Sequence, residues 1–134
     1  MKLLLDTHIL LWALAKTSAL PSGAVQMIDN LENSIYYSLI SLWEIEIKHL
    51  KSPDKMPVGA AYINELCKQA GYTYAPIQLP HILMLSSLQR GENEKEHKDP
   101  FDRLLLCQAK SSNIMLLTHD ELLSGYNETC VYYV

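Results

Sequence analysis

The sequence predicts an α/β fold in which a mainly parallel sheet of four to five strands is covered by helices on both faces. Short apolar segments of strand type alternate along the chain with segments of helical spacing, and 49% of the residues are hydrophobic. This alternation is typical of parallel sheets, because a parallel connection needs a crossover that is usually a helix. The chain has 134 residues, enough to fold without disulfide or metal support, so we interpret 1–134 as a single domain.

The first strand is predicted at 2–5, where the apolar run KLLL ends at Asp6. Helical spacing of apolar residues then predicts a helix. Pro21 suits the first turn of a second helix, which extends to about residue 31, because the fixed φ of proline matches the helical value. The β-branched and aromatic residues of SIYYS indicate a second strand at 34–38.

Residues 39–50 fit two patterns. The segment 44–47 alternates as a strand would, whereas another set of apolar residues has helical spacing: Ile40, Trp43, Ile47 and Leu50. We favour a helix because of the length of the segment, with Ser41 as its N-cap. Trp12 and Trp43 follow the apolar pattern and are expected in the core.

The second half of the chain continues the alternation. A helix is predicted over about 59–70, because a glycine such as Gly71 is typical of a helix end. Residues 72–78 have strand character, which Pro76 confines to the edge of the sheet. A helix over about 80–89 follows, with a proline at its start.

The polar stretch RGENEKEHK at 90–98 predicts a mobile surface loop. After it we expect four further elements, which are a helix at 100–112, an apolar strand at 114–117, a short helix near 120–124 and a strand at 131–134.

Composition excludes several classes of protein. The net charge of −4 disfavours a protein that holds nucleic acid by bulk positive charge, although it permits an enzyme whose cations lie beside a carboxylate cluster. Three widely spaced cysteines match neither a disulfide framework nor a zinc motif, so a reducing cytoplasm fits best. The segment 1–16 resembles a signal peptide, but Asp6 and His8 interrupt it, and no apolar run can span a bilayer. We expect a soluble cytoplasmic protein.

Carboxylates occur in four separate segments that a parallel sheet can bring together. The acids concerned are Asp6, Glu44, Asp99, Asp102 and Asp120. Ligands of such sheets bind beyond the carboxyl ends of the strands, and grouped carboxylates raise one another's pKa unless a cation offsets their charge. Oxygen ligands suit Mg²⁺ or Mn²⁺, so one metal site is a candidate function of these acids.

Two of these acids also fit a purely structural role. Ser41 and Glu44 have the spacing of a capping box, and Glu44 is one helical turn from a possible partner, Lys48. Asp120 can cap the short helix that it begins. The sequence leaves both interpretations open.

The other three acids can likewise be interpreted either as helix caps or as metal ligands. Asp99 before Pro100 is typical of a helix cap, and Asp102 would stabilise the positive end of the same helix. Asp6 is the acid that a cap explains least, because Thr7 beside it would serve. We interpret Asp102 as a ligand, and Asp99 either as the cap or as a residue that supports the ligands without binding the metal.

Four segments in this order resemble the PIN domain, most closely the VapC-type toxins of bacterial toxin–antitoxin pairs. They are LLLDTH at 3–8, SLWEIEIK at 41–48, HKDPFDR at 97–103 and LTHD at 117–120. The resemblance covers essentially the whole chain. One departure is the segment 107–109 (CQA), where small residues usually follow the third acid.

The resemblance implies a three-layer α/β/α sandwich and a Mg²⁺- or Mn²⁺-dependent endoribonuclease. It also implies a small antitoxin partner and a homodimer. The catalytic and metal-binding acids of the family correspond to Asp6, Glu44, Asp102 and Asp120. Supporting roles correspond to Thr7, Asp99 and Thr118. Candidate contacts to the RNA backbone are the neighbouring cations Lys48, Arg90, Lys95, Lys98 and Arg103.

Other classes fit less well. A receiver-like phosphoacceptor domain needs an acidic pair at the first strand, whereas Asp6 has no acidic neighbour and no strand leads into Asp54. A phosphatase of the haloacid-dehalogenase type needs an aspartate two residues after Asp6, where His8 stands. A non-catalytic PIN domain that acts as a binding module is disfavoured, because all four acids are present.

Overall fold

Five parallel strands form one sheet, in the order β3-β2-β1-β4-β5, in a computed structural model that describes residues 1–134. The strands are β1 (Lys2–Leu5), β2 (Ser34–Ser38), β3 (Thr73–Ala75), β4 (Met115–Thr118) and β5 (Val131–Tyr133). The sheet is entirely parallel, which confirms the predicted class. Its central strand is β1, so the residue that follows β1 lies in the middle of the carboxyl edge.

Six helices connect the strands. They are α1 (Thr7–Ala15), α2 (Ser22–Asp29), α3 (Leu39–Lys51), α4 (Ala60–Gln69), α5 (Leu79–Leu83) and α6 (Pro100–Ser112). The helix predicted over about 80–89 is α5 followed by a 3₁₀ turn at Met84–Ser87. The short helix predicted near 120–124 is a 3₁₀ turn at Leu123–Gly125. No helix combines the length and apolar character needed to cross a membrane.

The core lies on both faces of the sheet, which confirms the three-layer prediction. Leu3 and Leu5 pack with residues of α1, α2 and α4, whereas Leu4 packs on the opposite face with residues of α6. All three leucines are fully buried, and each burial contributes about 1.5–3 kcal/mol. The central strand is therefore held firmly from both sides.

The start and the buried face of α3 differ from the prediction. Ser38 is the N-cap, and its hydroxyl accepts a hydrogen bond from the Ile40 amide at 3.0 Å. Ser41 is therefore buried inside the helix rather than capping it. Trp43 is 56% exposed and lies edge-on against Phe101, so its assignment to the core was wrong. The reason is that β2 runs into α3 without a loop, which turns other residues of the helix inward.

The edge strand β3 is shorter than the predicted segment at 72–78. It ends at Ala75, since Pro76 has no N–H to continue the ladder. The carbonyls of Ala75 and Pro76 instead accept hydrogen bonds from the side-chain amide of Gln108, both at 3.1 Å. Gln108, in the segment noted as a departure from the family pattern, thus ties α6 to the end of this strand.

The polar segment 90–98 contains no helix or strand, but both of its ends are anchored. Arg90 donates to the Leu122 carbonyl at 2.6 Å, and its guanidinium lies 4.6 Å from the ring centroid of Tyr126. His97 is 6% exposed. The prediction of a surface loop therefore holds for the middle of this segment and is wrong for its ends.

Candidate metal centre

Asp6 stands at the centre of the carboxyl edge and is 3% exposed. Its backbone amide continues the ladder to the Leu117 carbonyl at 3.1 Å. One carboxylate oxygen accepts from the Ile9 amide at 2.8 Å, and the other accepts from the Thr118 hydroxyl. Asp6 is thus the N-cap of α1, and our preference against a cap at this residue was wrong. Burial raises the pKa of Asp6, and the two hydrogen bonds oppose that rise.

Thr118 joins Asp6 to the acid that follows β4. Its hydroxyl donates to Asp6 and accepts from the Asp120 amide at 3.0 Å. Asp120 in turn accepts through Oδ1 from the Leu122 amide at 2.9 Å, which begins the turn after β4 as predicted. Asp6 and Asp120 consequently hold fixed orientations on adjacent strands of the sheet.

Glu44 enters the site from α3 and is 6% exposed. Its Oε2 lies 3.2 Å from Lys48 Nζ, which confirms the expected pair one turn along the helix. Its Oε1 is buried without a hydrogen-bond partner. A buried carboxylate oxygen without a partner is costly, and a cation is the kind of ligand that would satisfy it.

Thr7 and Ser41 fix the helix that carries Glu44. The Thr7 hydroxyl donates to the Ser41 hydroxyl at 3.0 Å, and both side chains are buried. This bond links the first turn of α1 to α3 beside the acids. Thr7 therefore acts in the structure as a contact between elements.

Asp99 and Asp102 divide their roles at the start of α6. Asp99 is the N-cap and accepts from the amides of Phe101 at 2.9 Å and Asp102 at 3.3 Å. Pro100 occupies the first helical position, as predicted. The Asp102 side chain, 18% exposed, lies in the first turn and is directed toward the other acids.

The pKa of Asp102 reflects both its burial and the carboxylates around it. Burial, and then the charges of the neighbouring carboxylates, raise the pKa of Asp102 to about 8. Those neighbours, in decreasing order of effect, are Asp99, Asp6, Asp120 and Glu44. A carboxyl group in this position carries a proton at neutral pH unless another positive charge is supplied.

His97 also belongs to this cluster, and sequence reasoning missed it. Its Nδ1 lies 2.7 Å from the Tyr126 hydroxyl, and its Nε2 lies 3.5 Å from Asp102 Oδ2 without a hydrogen-bond partner. Ligand atoms of His97, Asp102 and Asp120 lie within 4.8 Å of one another. Burial lowers the pKa of His97, which favours the neutral imidazole. The only sequence signal was its place at the head of HKDPFDR.

The cations around the acids are not equally available. Arg90 donates to Leu122 and stacks on Tyr126, which makes it less available than the other cations, and its role as a contact to substrate stays a prediction. Lys48 is held by Glu44 but remains half exposed. Lys98 is exposed beside Glu96, and Arg103 is partly exposed on α6.

A pocket of about 260 Å³ opens beside Asp6 and Asp120. Its other lining residues are His8, Trp12 and His119. Asp6 and Asp120 thus face an opening that has aromatic walls. Larger pockets exist elsewhere, but their linings contain neither Asp6 nor Asp120.

These residues fit a divalent cation. Glu44 Oε1 and His97 Nε2 are buried without hydrogen-bond partners, and burial with the neighbouring carboxylates raises the pKa of Asp102. The ligand atoms that lie close enough to share one cation come from His97, Asp102 and Asp120, and this group does not include Asp6 or Glu44. Carboxylate oxygens with one imidazole nitrogen form a donor set that Mn²⁺ or Mg²⁺ can use.

Fold and site together define a parallel α/β protein with a carboxylate centre at the carboxyl edge of its sheet. A model of the PIN domain matches residues 3–128. The chain therefore belongs to the PIN domain family, as its sequence motifs indicated. No curated protein matches it significantly in sequence.

Solved structures share the fold at low sequence identity. VapBC2 from Rickettsia felis, bound to a DNA fragment from its promoter, is 15% identical with a TM-score of 0.70, over 100% of this chain and 99% of that one. VapBC-1 from nontypeable Haemophilus influenzae is 16% identical with a TM-score of 0.58, over 92% and 93%. A domain of a functionally unknown protein from Methanocaldococcus jannaschii DSM 2661 is 14% identical with a TM-score of 0.55, over 99% and 90%.

Proposed function

We propose that this protein is a Mg²⁺- or Mn²⁺-dependent endoribonuclease and the toxin of a toxin–antitoxin pair. The observation that carries the proposal is the group of His97, Asp102 and Asp120, whose ligand atoms lie within 4.8 Å of one another. Asp6 and Glu44 lie near enough that their charges, after burial, help to raise the pKa of Asp102. Membership of the PIN family and the fold shared with two VapBC structures support it. The proposed catalytic acids are Asp6, Glu44, Asp102 and Asp120.

The chain's own residues orient these acids before any substrate arrives. The Ile9 amide and the Thr118 hydroxyl hold Asp6, and Lys48 holds one oxygen of Glu44 while the other stays open. Such preorganisation avoids reorientation during the reaction. Asp6, Glu44, Asp102 and Asp120 would hold a divalent cation, which would supply a lowered pKa to a bound water molecule and positive charge beside the scissile phosphate.

Three cations are proposed to position the RNA backbone. Lys48, Lys98 and Arg103 lie on segments that also carry the acids, and each is at least partly exposed. Phosphate contacts of this kind set the register of a nucleic acid without reading its sequence. They would supply local positive charge in a protein whose net charge is −4.

The proposed partners are a small antitoxin and a second copy of this chain. Two solved structures with this fold are VapBC2 from Rickettsia felis and VapBC-1 from nontypeable Haemophilus influenzae, which supports an antitoxin partner. An apolar surface on α3, with Trp43, Ile47 and Leu50 exposed, offers area for a partner. Three free cysteines support a reducing cytoplasm as the compartment.

The test is cleavage of single-stranded RNA by protein purified free of any partner. We expect internal cleavage with Mg²⁺ or Mn²⁺, no cleavage with chelator, and slower cleavage of DNA of the same sequence. Asp6→Asn should lower the rate at least about 100-fold. The matched control is Asp54→Asn, which changes an exposed aspartate outside the cluster and should leave the rate unchanged.

Two results would contradict the proposal. Cleavage that persists at the same rate in Asp6→Asn would show that the activity does not arise at this site. Metal binding without cleavage of any RNA would favour a non-catalytic binding module.

The proposed role as a toxin has its own test. A small protein encoded by the adjacent open reading frame should copurify with the chain and suppress cleavage.

A further inference from the structure

We propose that His97 is a nitrogen ligand of the divalent cation, so that the site is a mixed oxygen and nitrogen centre that prefers Mn²⁺ to Mg²⁺. This inference rests on the proposed function, since it concerns the same cation. The inference adds His97 to the four proposed acidic ligands, and it predicts which metal ion the site prefers.

Burial and direction make His97 unusual among the histidines of this chain. Its side chain is 2% exposed, and Nε2 is buried without a hydrogen-bond partner. That atom is directed at Asp102 and lies 3.5 Å from its Oδ2. A buried nitrogen without a hydrogen-bond partner costs free energy of folding, unless a bound ligand interacts with it.

The distances suit coordination better than a hydrogen bond. Nε2 and Asp102 Oδ2 are 3.5 Å apart, which is long for an N–H···O bond. Metal bonds of about 2.1 Å place neighbouring ligand atoms about 3 Å apart and opposite ones about 4.2 Å apart. The ligand atoms of His97, Asp102 and Asp120 lie within 4.8 Å of one another. This distance is about half an ångström longer than the separation of opposite ligands around one metal ion, and rotation of the side chains can close the difference.

Tyr126 would set the protonation of the ring. If Nδ1–H donates to the Tyr126 hydroxyl at 2.7 Å, the lone pair of Nε2 is free and points at the acids. Metal-bound histidines are commonly oriented in this way through their other nitrogen. The edge of the Tyr126 ring also packs against His97, with centroids 5.5 Å apart, and restricts its rotation.

Metal preference follows from the donor set. Carboxylate and water oxygens suit both Mg²⁺ and Mn²⁺, whereas imidazole nitrogen favours transition metals. Removing one nitrogen ligand should therefore weaken the binding of Mn²⁺ much more than the binding of Mg²⁺.

The direct test is pulsed electron paramagnetic resonance of the purified protein loaded with Mn²⁺. Wild-type protein should show electron spin-echo modulation from a directly bound imidazole nitrogen, and His97→Gln should lose it. His8→Gln and His119→Gln are matched controls, since both histidines are exposed and line the pocket beside the acids; both variants should keep the modulation. Calorimetry should show at least about tenfold weaker Mn²⁺ binding in His97→Gln, with Mg²⁺ changed less than about threefold.

The outcomes separate this inference from the proposed function. Bound Mn²⁺ without imidazole modulation in the wild-type protein overturns the ligand role, even if RNA is still cleaved, and makes His97 a positioning residue for Asp102. Modulation that disappears in His8→Gln or His119→Gln, but persists in His97→Gln, also overturns it. If His97→Gln does not fold, the wild-type spectrum together with those of His8→Gln and His119→Gln decides the question: modulation in all three supports His97, and its absence in the wild-type protein overturns the inference. Failure of the proposed function has a different signature, which is absence of cleavage.

Discussion

Asp102 should destabilise the metal-free protein at neutral and alkaline pH, and removing its charge should relieve this. Its pKa is raised from 3.8 to about 8 by burial and by the surrounding carboxylates. Between these values the unfolded chain has lost the proton that the folded chain keeps. The free energy of unfolding therefore falls as pH rises from about 4 to about 8, and it levels off above that.

The magnitude follows from the size of the shift. Each pH unit between the two pKa values lowers the free energy of unfolding by about 1.4 kcal/mol. At pH 7 the raised pKa of Asp102 therefore destabilises the folded protein by about 4 kcal/mol. A competing effect is the positive end of α6, which stabilises a carboxylate in the first turn by about 0.3–1 kcal/mol. The burial and charge effect is larger. Asp102→Asn should raise the free energy of unfolding by about 2–4 kcal/mol at pH 8.

Urea unfolding in the presence of chelator, followed by circular dichroism at pH 5 and pH 8, measures this. The increase in the free energy of unfolding caused by Asp102→Asn should be large at pH 8 and small at pH 5. At pH 5 the wild-type carboxyl group is neutral in the folded state, as the asparagine side chain is. Asp54→Asn is the control and should stay within about 0.5 kcal/mol at both pH values. An Asp102→Asn variant that is no more stable than wild type at pH 8 would refute the reasoning.

Substitutions at three further positions separate helix capping and packing from the chemistry of the site. Asp99→Ala should lower the free energy of unfolding by about 1 kcal/mol in urea, because a helix cap is lost, whereas Asp99→Asn keeps the cap. In cleavage assays Asp99→Asn should retain activity within about threefold, in contrast to Asp102→Asn. Thr118→Val removes the hydroxyl between Asp6 and the next acid, and calorimetry should show cation binding weakened about 10- to 100-fold. Gln108→Leu leaves two carbonyls without their partner and should cost about 1–3 kcal/mol in thermal unfolding, with metal affinity unchanged.

Local patterns predicted most of the architecture. The apolar run at β1 and the Asp99–Pro100 start of α6 have short-range causes, namely burial of consecutive side chains and a fixed proline φ. Both elements are observed where they were predicted. The placement of Asp6 and Asp102 follows from them, because one residue ends a strand and the other lies in a first helical turn.

Other features depend on contacts between residues far apart in sequence. His97 is buried by Tyr126, 29 residues later, and Arg90 is held by Leu122, 32 residues later. A polar segment carries no periodic signal that distinguishes an anchored side chain from a solvated one. The exposure of Trp43 was missed for a similar reason, since the direction of α3 is set by its direct junction with β2.

Capping and metal binding are compatible roles because a carboxylate has two oxygens. Asp120 uses Oδ1 to accept from the Leu122 amide, which leaves Oδ2 available, and Glu44 uses Oε2 for Lys48 and leaves Oε1 without a partner. The held oxygen fixes the direction of the other one. Asp6 differs because both of its oxygens accept hydrogen bonds, yet each oxygen retains a further lone pair. A helix cap beside a parallel strand end is therefore a way to orient a ligand, and a good capping pattern in a sequence is no argument against a metal site at the same acid.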